Sequence, residues 1–172
     1  MYRTLQQTVN LAIAEHGGIE TWDFKAGMSN EEKDAFVKKY FIPYLNVLKF
    51  CPSDNSVKGC AFDGVVKRKN GTNWVNLNEI NHPKVLLADG SLILIQFYND
   101  GSGVDFYPDV NGHKKPNVIG RDVFYFQIKQ NGGVFFPGGG GSTREAIVEN
   151  CKNGTGMACA AMIIQDGFKM NY

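Results

Sequence analysis

The feature that most constrains this chain is the placement of its four cysteines, at positions 51, 60, 151 and 159. They fall as two close pairs far apart in the sequence. Zinc ligands usually come in pairs separated by about two to four residues, and these spacings are too wide for that pattern. Three disulfide connectivities are open. The local pairing, Cys51–Cys60 and Cys151–Cys159, needs the least prior organisation of the chain. Both intervening segments contain Gly, and the first also has Pro52. Four buried thiols in a reducing compartment is the second reading, because paired spacing at two separate places fits an oxidised protein better. The second pair sits near the C-terminus, beside the apolar run Cys159–Ile164. A tether there keeps a chain end from fraying. The expected location is extracytoplasmic, where disulfides persist.

A length of 172 residues suggests one domain. With 43% hydrophobic and 20% charged residues, the chain can form a packed core. The net charge is only +1, so no global field favours nucleic acid or an anionic membrane. No apolar run approaches the roughly 18 residues that span a bilayer. Arg3, Gln6, Gln7 and Asn10 interrupt the start, so no secretory signal is expected there.

The periodicity separates two regimes. From Tyr2 to His16, Leu5, Val9 and Ala12 repeat at helical spacing, and Gly17-Gly18 ends the run. A second helix is expected from Ser29 to about Phe50. Ser29 and Glu32 form a capping-box pattern at its start, and Pro43 should kink or break it. After Cys51 the pattern turns to short strands and turns. Val85–Ala88 and Leu92–Tyr98 flank Asp89-Gly90, a hairpin signal, and the apolar second run reads as a central strand. Asp122–Lys129 and Val134–Phe136 flank Asn131-Gly132-Gly133 as a second hairpin, with Phe124, Phe126 and Ile128 on one face. Beyond a Gly138–Gly141 linker, Ser142 or Thr143 should cap a short helix to about Cys151. Met157–Gln165 reads as a last helical segment. No internal repeat is visible. Helices followed by antiparallel strands and a C-terminal appendage give the α+β class.

The chain offers little catalytic chemistry. His16, His82 and His113 are scattered and read as ordinary surface residues. No nucleophile–base set, phosphate loop or dinucleotide fingerprint is present. Lys67, Arg68 and Lys69 read as a solvated loop rather than a nucleic-acid patch. An acidic loop holds Asp105, Asp109, Asn111, Asn117 and Asp122 around Gly112 and Pro116. Calcium takes six to eight oxygen ligands, which makes Asp109, Asn111, Asn117 and Asp122 the candidate metal ligands. The closing Glu of an EF-hand is missing, and Asp and Asn favour turns for purely local reasons. The turn is therefore the preferred reading, and no cofactor is expected.

Two segments carry a resemblance. One is Asp109-Val110-Asn111-Gly112, continuing through Pro116-Asn117 to Gly120-Arg121-Asp122-Val123-Phe124. The other is Cys159-Ala160-Ala161 followed by Asp166-Gly167-Phe168-Lys169. Together they resemble the C-terminal half of bacterial type IV pilin-like proteins, including type II secretion pseudopilins. Those share an Asp-x-Asn-Gly, Pro-Asn and Gly-x-Asp-x-Phe block and end near Cys-Ala-Ala and Asp-Gly-Trp-Lys. Phe168 stands in place of the Trp. Tyr2–Ala12 is similar to the polar half of the pilin N-terminal helix. The resemblance divides the chain into a helix (1–17), a variable region (18–104), and a sheet with the C-terminal segment (105–172). It implies an N-terminal helix packed on an antiparallel sheet, and a disulfide-tied C-terminal segment. It further implies filament assembly with other pilin or pseudopilin subunits. The membrane would be reached only through a preceding apolar helix, and no catalysis is implied. A secreted calcium-dependent or carbohydrate-binding module is the rival, with an aromatic cleft near Trp22 or Trp74 as its expected mark.

Overall fold

The computed structural model describes residues 1–139, 142–170 and 172. Gly140 and Gly141 of the expected linker, and Asn171, lie outside the described residues. Among these residues the fold is α+β, with four α-helices and one antiparallel sheet of six strands.

Helix α1 covers Tyr2–His16, as its periodicity predicts. Leu5, Thr8, Val9 and Ala12 form its buried stripe. The Thr8 hydroxyl avoids an unpaired state by donating to the Thr4 carbonyl at 2.9 Å. Helix α2 covers Asn30–Tyr40 and opens with the predicted capping box: Glu32 N–H donates to Ser29 Oγ, and Ser29 N–H donates to a Glu32 carboxylate oxygen.

The break expected at Pro43 is present, and the helix expected to resume as far as Phe50 does not form. The helix stops at Tyr40, and Ile42–Tyr44 forms a 3-10 turn that carries Pro43. Pro43 has no N–H to donate and its ring would clash with the Lys39 carbonyl, so the α-helix cannot pass through it. The chain beyond is strand β1, Val47–Cys51. The register shifts between Val47 and Lys49, and the Leu48 side chain is left 66% exposed there.

A small hairpin follows, β2 (Val65–Lys67) with β3 (Asn73–Asn76). The large sheet then continues with β4 (Lys84–Leu87), β5 (Leu92–Phe97), β6 (Gly103–Asp109), β7 (Phe126–Lys129) and β8 (Val134–Pro137). Its strand order is β1-β4-β5-β6-β7-β8. The β4–β5 hairpin turns at Asp89-Gly90, and β5 is central with both faces apolar, as expected. Strand β6 was not expected. It holds Asp105, which the sequence had placed in the acidic loop. Gly103 is needed at its start, because a Cβ there would lie 2.2 Å from the Ile128 carbonyl oxygen of β7.

The second hairpin is real but shorter than predicted. Strand β7 is continuous only from Phe126, not from Asp122, although Val123 still bridges Asp109 in the same antiparallel register. Pro108 has no N–H to return to Phe124, which interrupts the ladder. Val110 N–H donates to the Asp122 carbonyl and Phe124 N–H to the Pro108 carbonyl.

Alternation gives the sheet two apolar faces. Ile93, Ile95, Val104, Phe106, Phe126 and Ile128 meet Leu5, Val9 and Ala12 of α1 and Phe36 and Phe41 of the α2 region. Leu92, Leu94 and Tyr107 face the other way, against Val66, Trp74 and Val75 of the small hairpin. Each fully buried aliphatic side chain contributes roughly 1.5–3 kcal/mol, so α1 is fixed to the sheet by several such groups. The C-terminal helices α3 (Arg144–Lys152, capped by Thr143) and α4 (Cys159–Gln165) form a third cluster around Ile147, Cys151, Cys159 and Met162.

Candidate functional site

Both disulfides form in the local pairing, Cys51–Cys60 and Cys151–Cys159. All four sulfur-bearing residues are buried. The first bond closes the 52–59 loop onto strand β1. The second joins α3 to α4. Two such bonds suggest an oxidising, extracytoplasmic environment. Among the described residues no helix is long and apolar enough to cross a membrane.

The four candidate metal ligands do come together, in the turn between β6 and β7. Asp109 ends β6. Its Oδ1 accepts the N–H groups of Asn111 (3.1 Å) and Gly112 (2.9 Å). Gly112 has φ +61, and a Cβ there would lie 2.0 Å from the Gly90 carbonyl oxygen, so glycine is required. Asp122 holds the far side of the turn. Its two oxygens accept the N–H groups of Asn117 and Val118. Asn111 Nδ2 also donates to Asp122 Oδ2, at 3.0 Å. The Asn117 amide nitrogen, in the orientation that satisfies its surroundings, donates to Asp109 Oδ2 at 2.8 Å and to two backbone carbonyls. Burial, and after it the nearby Asp122 charge, push the Asp109 carboxyl up to about 7. One acceptor stays unused: Asn111 Oδ1 is buried with no partner. The turn thus spends most of its carboxylate oxygens on its own backbone, as an Asx-type turn does. Among the described residues no three His, Cys, Asp or Glu side chains are grouped to hold a metal ion.

Asp105 lies elsewhere, on the sheet face that packs against the small hairpin. It is 7% exposed and accepts hydrogen bonds from the hydroxyls of Tyr98 (2.5 Å), Tyr125 (3.1 Å) and Tyr107 (3.3 Å). Burial pushes its carboxyl up to about 6, against these three hydrogen bonds. Tyr107 stacks on Tyr125 at 5.0 Å, and Trp74 closes over Tyr107 at 4.4 Å. The signal for this cluster was the Tyr98/Asp105/Tyr107/Tyr125 set, which reads as a loop unless β6 is recognised.

An open apolar groove lies at the start of α1. Tyr2, Phe124, Phe126, Ala160, Ile164 and Phe168 line it. Phe168 and Met170 are 53% and 55% exposed beside it.

Comparisons with protein-family models, with curated proteins and with solved structures gave no match to this chain.

The remaining candidates are structural. Trp22 is buried, stacks on Tyr40 at 4.5 Å and donates Nε1–H to the Gly17 carbonyl, so it lines no cleft. The histidines stay apart, and His113 is exposed as expected, whereas His16 and His82 are partly buried. His82 is half-buried, and burial lowers its pKa to about 4. His113 Nε2 lies 2.8 Å from the Cys60 carbonyl oxygen, and His16 packs edge-on against Tyr40. Lys84, missed in the sequence, is 2% exposed. It donates to Asn55 Oδ1 (2.6 Å) and to the Ile80 and His82 carbonyls, and burial lowers its pKa to about 8. It holds the 52–59 loop against the segment before β4.

Proposed function

We propose that this chain is the head domain of a pilin-like subunit, of a type IV pilus or a secretion pseudopilus, and that it works by filament assembly and surface display. The observation that carries the reading is α1. Its single buried stripe lies on an antiparallel sheet, and its first turn ends at an apolar groove with Phe168 and Met170 exposed. A helix extended upstream by an apolar stretch would continue from that groove and bundle with its neighbours. The 52–59 loop and the β2–β3 hairpin would face outward as the variable surface. Other pilin or pseudopilin subunits are the partners, and no catalytic step is assigned.

The test has two parts. The coding sequence upstream of Tyr2 is expected to encode about 20 apolar residues, enough to span a bilayer. The full-length protein, expressed with a pilus or secretion assembly system, is expected to enter filaments. The isolated domain is expected to sediment as a monomer. A polar upstream sequence, or full-length protein that never enters a filament, overturns the reading.

A second reading, a secreted calcium-dependent module, is favoured by one observation. The unpartnered Asn111 Oδ1 sits beside Asp109 and Asp122, where a cation would find a ready acceptor.

A further inference from the structure

The tetrapeptide Lys-Asn-Gly-Thr, too short to mark a repeated structural unit, occurs at both Lys69–Thr72 and Lys152–Thr155. The fold brings the two copies together. Lys69 N–H donates to the Thr155 carbonyl at 3.0 Å. The first copy makes the turn between β2 and β3. The second ends α3 and opens the loop inside the Cys151–Cys159 disulfide. A third segment joins them: Lys67 N–H donates to the Asn117 carbonyl, and Ile119 N–H to the Lys67 carbonyl. That segment presents Arg121. The C-terminal Tyr172 then fixes one member. Its ring lies 3.9 Å from Lys69 Nζ, and its hydroxyl donates to the Gly120 carbonyl at 2.8 Å.

Three cations thus converge from three segments. Lys69 is half-buried, while Arg121 and Lys152 are exposed. The segments touch: a Cβ on Gly156 would lie 3.0 Å from Lys69 Cβ and 2.5 Å from the Ile119 carbonyl oxygen. Lys69 feels its neighbours, its pKa being lowered by burial and then by Arg121 and Lys152. Among the described residues the ion pairs are Lys25–Glu32, Lys39–Asp23 and Arg144–Asp166, and none draws on these three cations. Glu149, one turn before Lys152, accepts from Asn153 Nδ2 instead. The chain as a whole is nearly neutral, so composition does not force this clustering. Unopposed like charges cost stability in the absence of a counter-ion.

We propose that the paired Lys-Asn-Gly-Thr turns, with Arg121, form a binding site for a phosphate group. The group is carried either by a small soluble anion or by a lipid headgroup. A dianion answers three converging charges better than a single carboxylate does, and the Arg121 guanidinium offers a planar fork that matches phosphate oxygens. Lys69, held over the Tyr172 ring, supplies the fixed charge at the base. The site is independent of the filament reading and would stand if that reading fell.

The test uses the whole chain in two arms. In the first, amide chemical shifts are followed during titration with inorganic phosphate and pyrophosphate at low ionic strength, with chloride as the control. Saturable shifts are expected at residues 69–72, 119–121 and 152–156. In the second, the protein is sedimented with vesicles of phosphatidylglycerol and, as control, phosphatidylcholine. Binding in the first arm alone identifies a soluble anion, and phosphatidylglycerol-dependent binding identifies a headgroup. The variant Arg121→Gln/Lys152→Gln alters exposed side chains only and is expected to fold. It should weaken whichever binding is seen by at least roughly fivefold. The proposal is overturned if neither arm shows saturable binding above its control, or if the double variant binds as the parent does.

Discussion

The Asn117 backbone N–H donates to Asp122 Oδ2 at 2.7 Å, and the next N–H, of Val118, donates to Oδ1 of the same carboxylate at 2.6 Å. One side chain therefore closes the turn between β6 and β7. Asp122→Ala would leave these donors unpaired, and Asn117 is buried. The expected cost is about 2–4 kcal/mol, since each stranded buried donor loses on the order of 1–3 kcal/mol. Asp122→Asn keeps the shape but loses one strong acceptor, and should cost less. Denaturant unfolding of the two variants measures both. Equal stability of Asp122→Ala and the parent would show that the turn closes by other means.

The same geometry sets the expectation for calcium. Asp109 Oδ1 and both Asp122 oxygens already accept backbone donors, and Asp109 Oδ2 faces the Asn117 amide. A cation would have to displace these bonds. Calorimetric titration is expected to show no calcium binding tighter than about 10⁻⁴ M. Tighter binding that Asp109→Ala abolishes would instead support the calcium-dependent module.

Asp105 predicts a pH dependence. Its folded pKa is raised from 3.8 to about 6 by burial. The folded state therefore holds the proton more tightly than the unfolded state does. The stabilisation is fully present below about 4 and is lost as pH rises through about 6. The loss is on the order of 3 kcal/mol. Asp109, raised to about 7, should extend the decline by one pH step. His82, whose pKa burial lowers to about 4, works the other way and gains stability as pH rises between about 4 and 6.5. The Asp105 share is therefore read from thermal or denaturant unfolding of the parent against a variant between pH 4 and 8. Asp105→Asn should remove the Asp105 share of the slope between about 4 and 6, on the order of 3 kcal/mol, and leave the shares of Asp109 and His82. An unchanged slope in that variant would mean that the tyrosine hydroxyls hold the carboxyl near its ordinary value.

The sequence carried the elements whose signals are local. The α1 stripe, the Ser29/Glu32 box, the Asp89-Gly90 hairpin, the Thr143 cap and the two cysteine pairs each depend on residues within a few positions of one another. What it concealed depends on distant partners. Strand β6 alternates Val104 and Phe106 with Asp105 and Tyr107, but Asp105 and Pro108 mark a loop until Tyr98 and Tyr125 are seen to satisfy the carboxylate. Strand β1 was masked because Val47 and Leu48 continue the apolar spacing of α2, and only pairing with β4 fixes the strand. The metal-ligand candidates were legible as a group, since they share one turn. The Lys69, Arg121 and Lys152 cluster was not, because it joins three segments. Lys84 was invisible as a buried residue for the same reason: its three acceptors are brought to it by the 52–59 loop and the approach to β4.

The last prediction concerns the Cys151–Cys159 bond. The residues it joins belong to a hydrophobic cluster separate from the two clusters on the faces of the large sheet, and from α4 only Ala160 and Ile164 reach the α1 face. Ile147, Ala158, Ala161 and Met162 pack around the disulfide, with Val148 and Tyr172 partly covering them. Helices α3 and α4 should therefore behave as a unit that can open while the sheet stays folded. A disulfide closing so short a loop contributes on the order of 2–3 kcal/mol. Replacing both residues, Cys151→Ser with Cys159→Ser, should remove about that much from the appendage. It also buries two hydroxyls in an apolar cluster, so a Cys→Ala pair is the cleaner variant. Hydrogen exchange is the measurement that separates the possibilities. Protection should fall over 144–165, while amides of β5 and β6 keep theirs. Cys51 lies on strand β1 and pairs with Lys84 of β4, so removing the Cys51–Cys60 bond should reach the sheet edge and leave α3 and α4 protected. If loss of Cys151–Cys159 lowered protection evenly across the sheet as well, the appendage would be part of one cooperative unit with it. The third cluster would then have no independent stability.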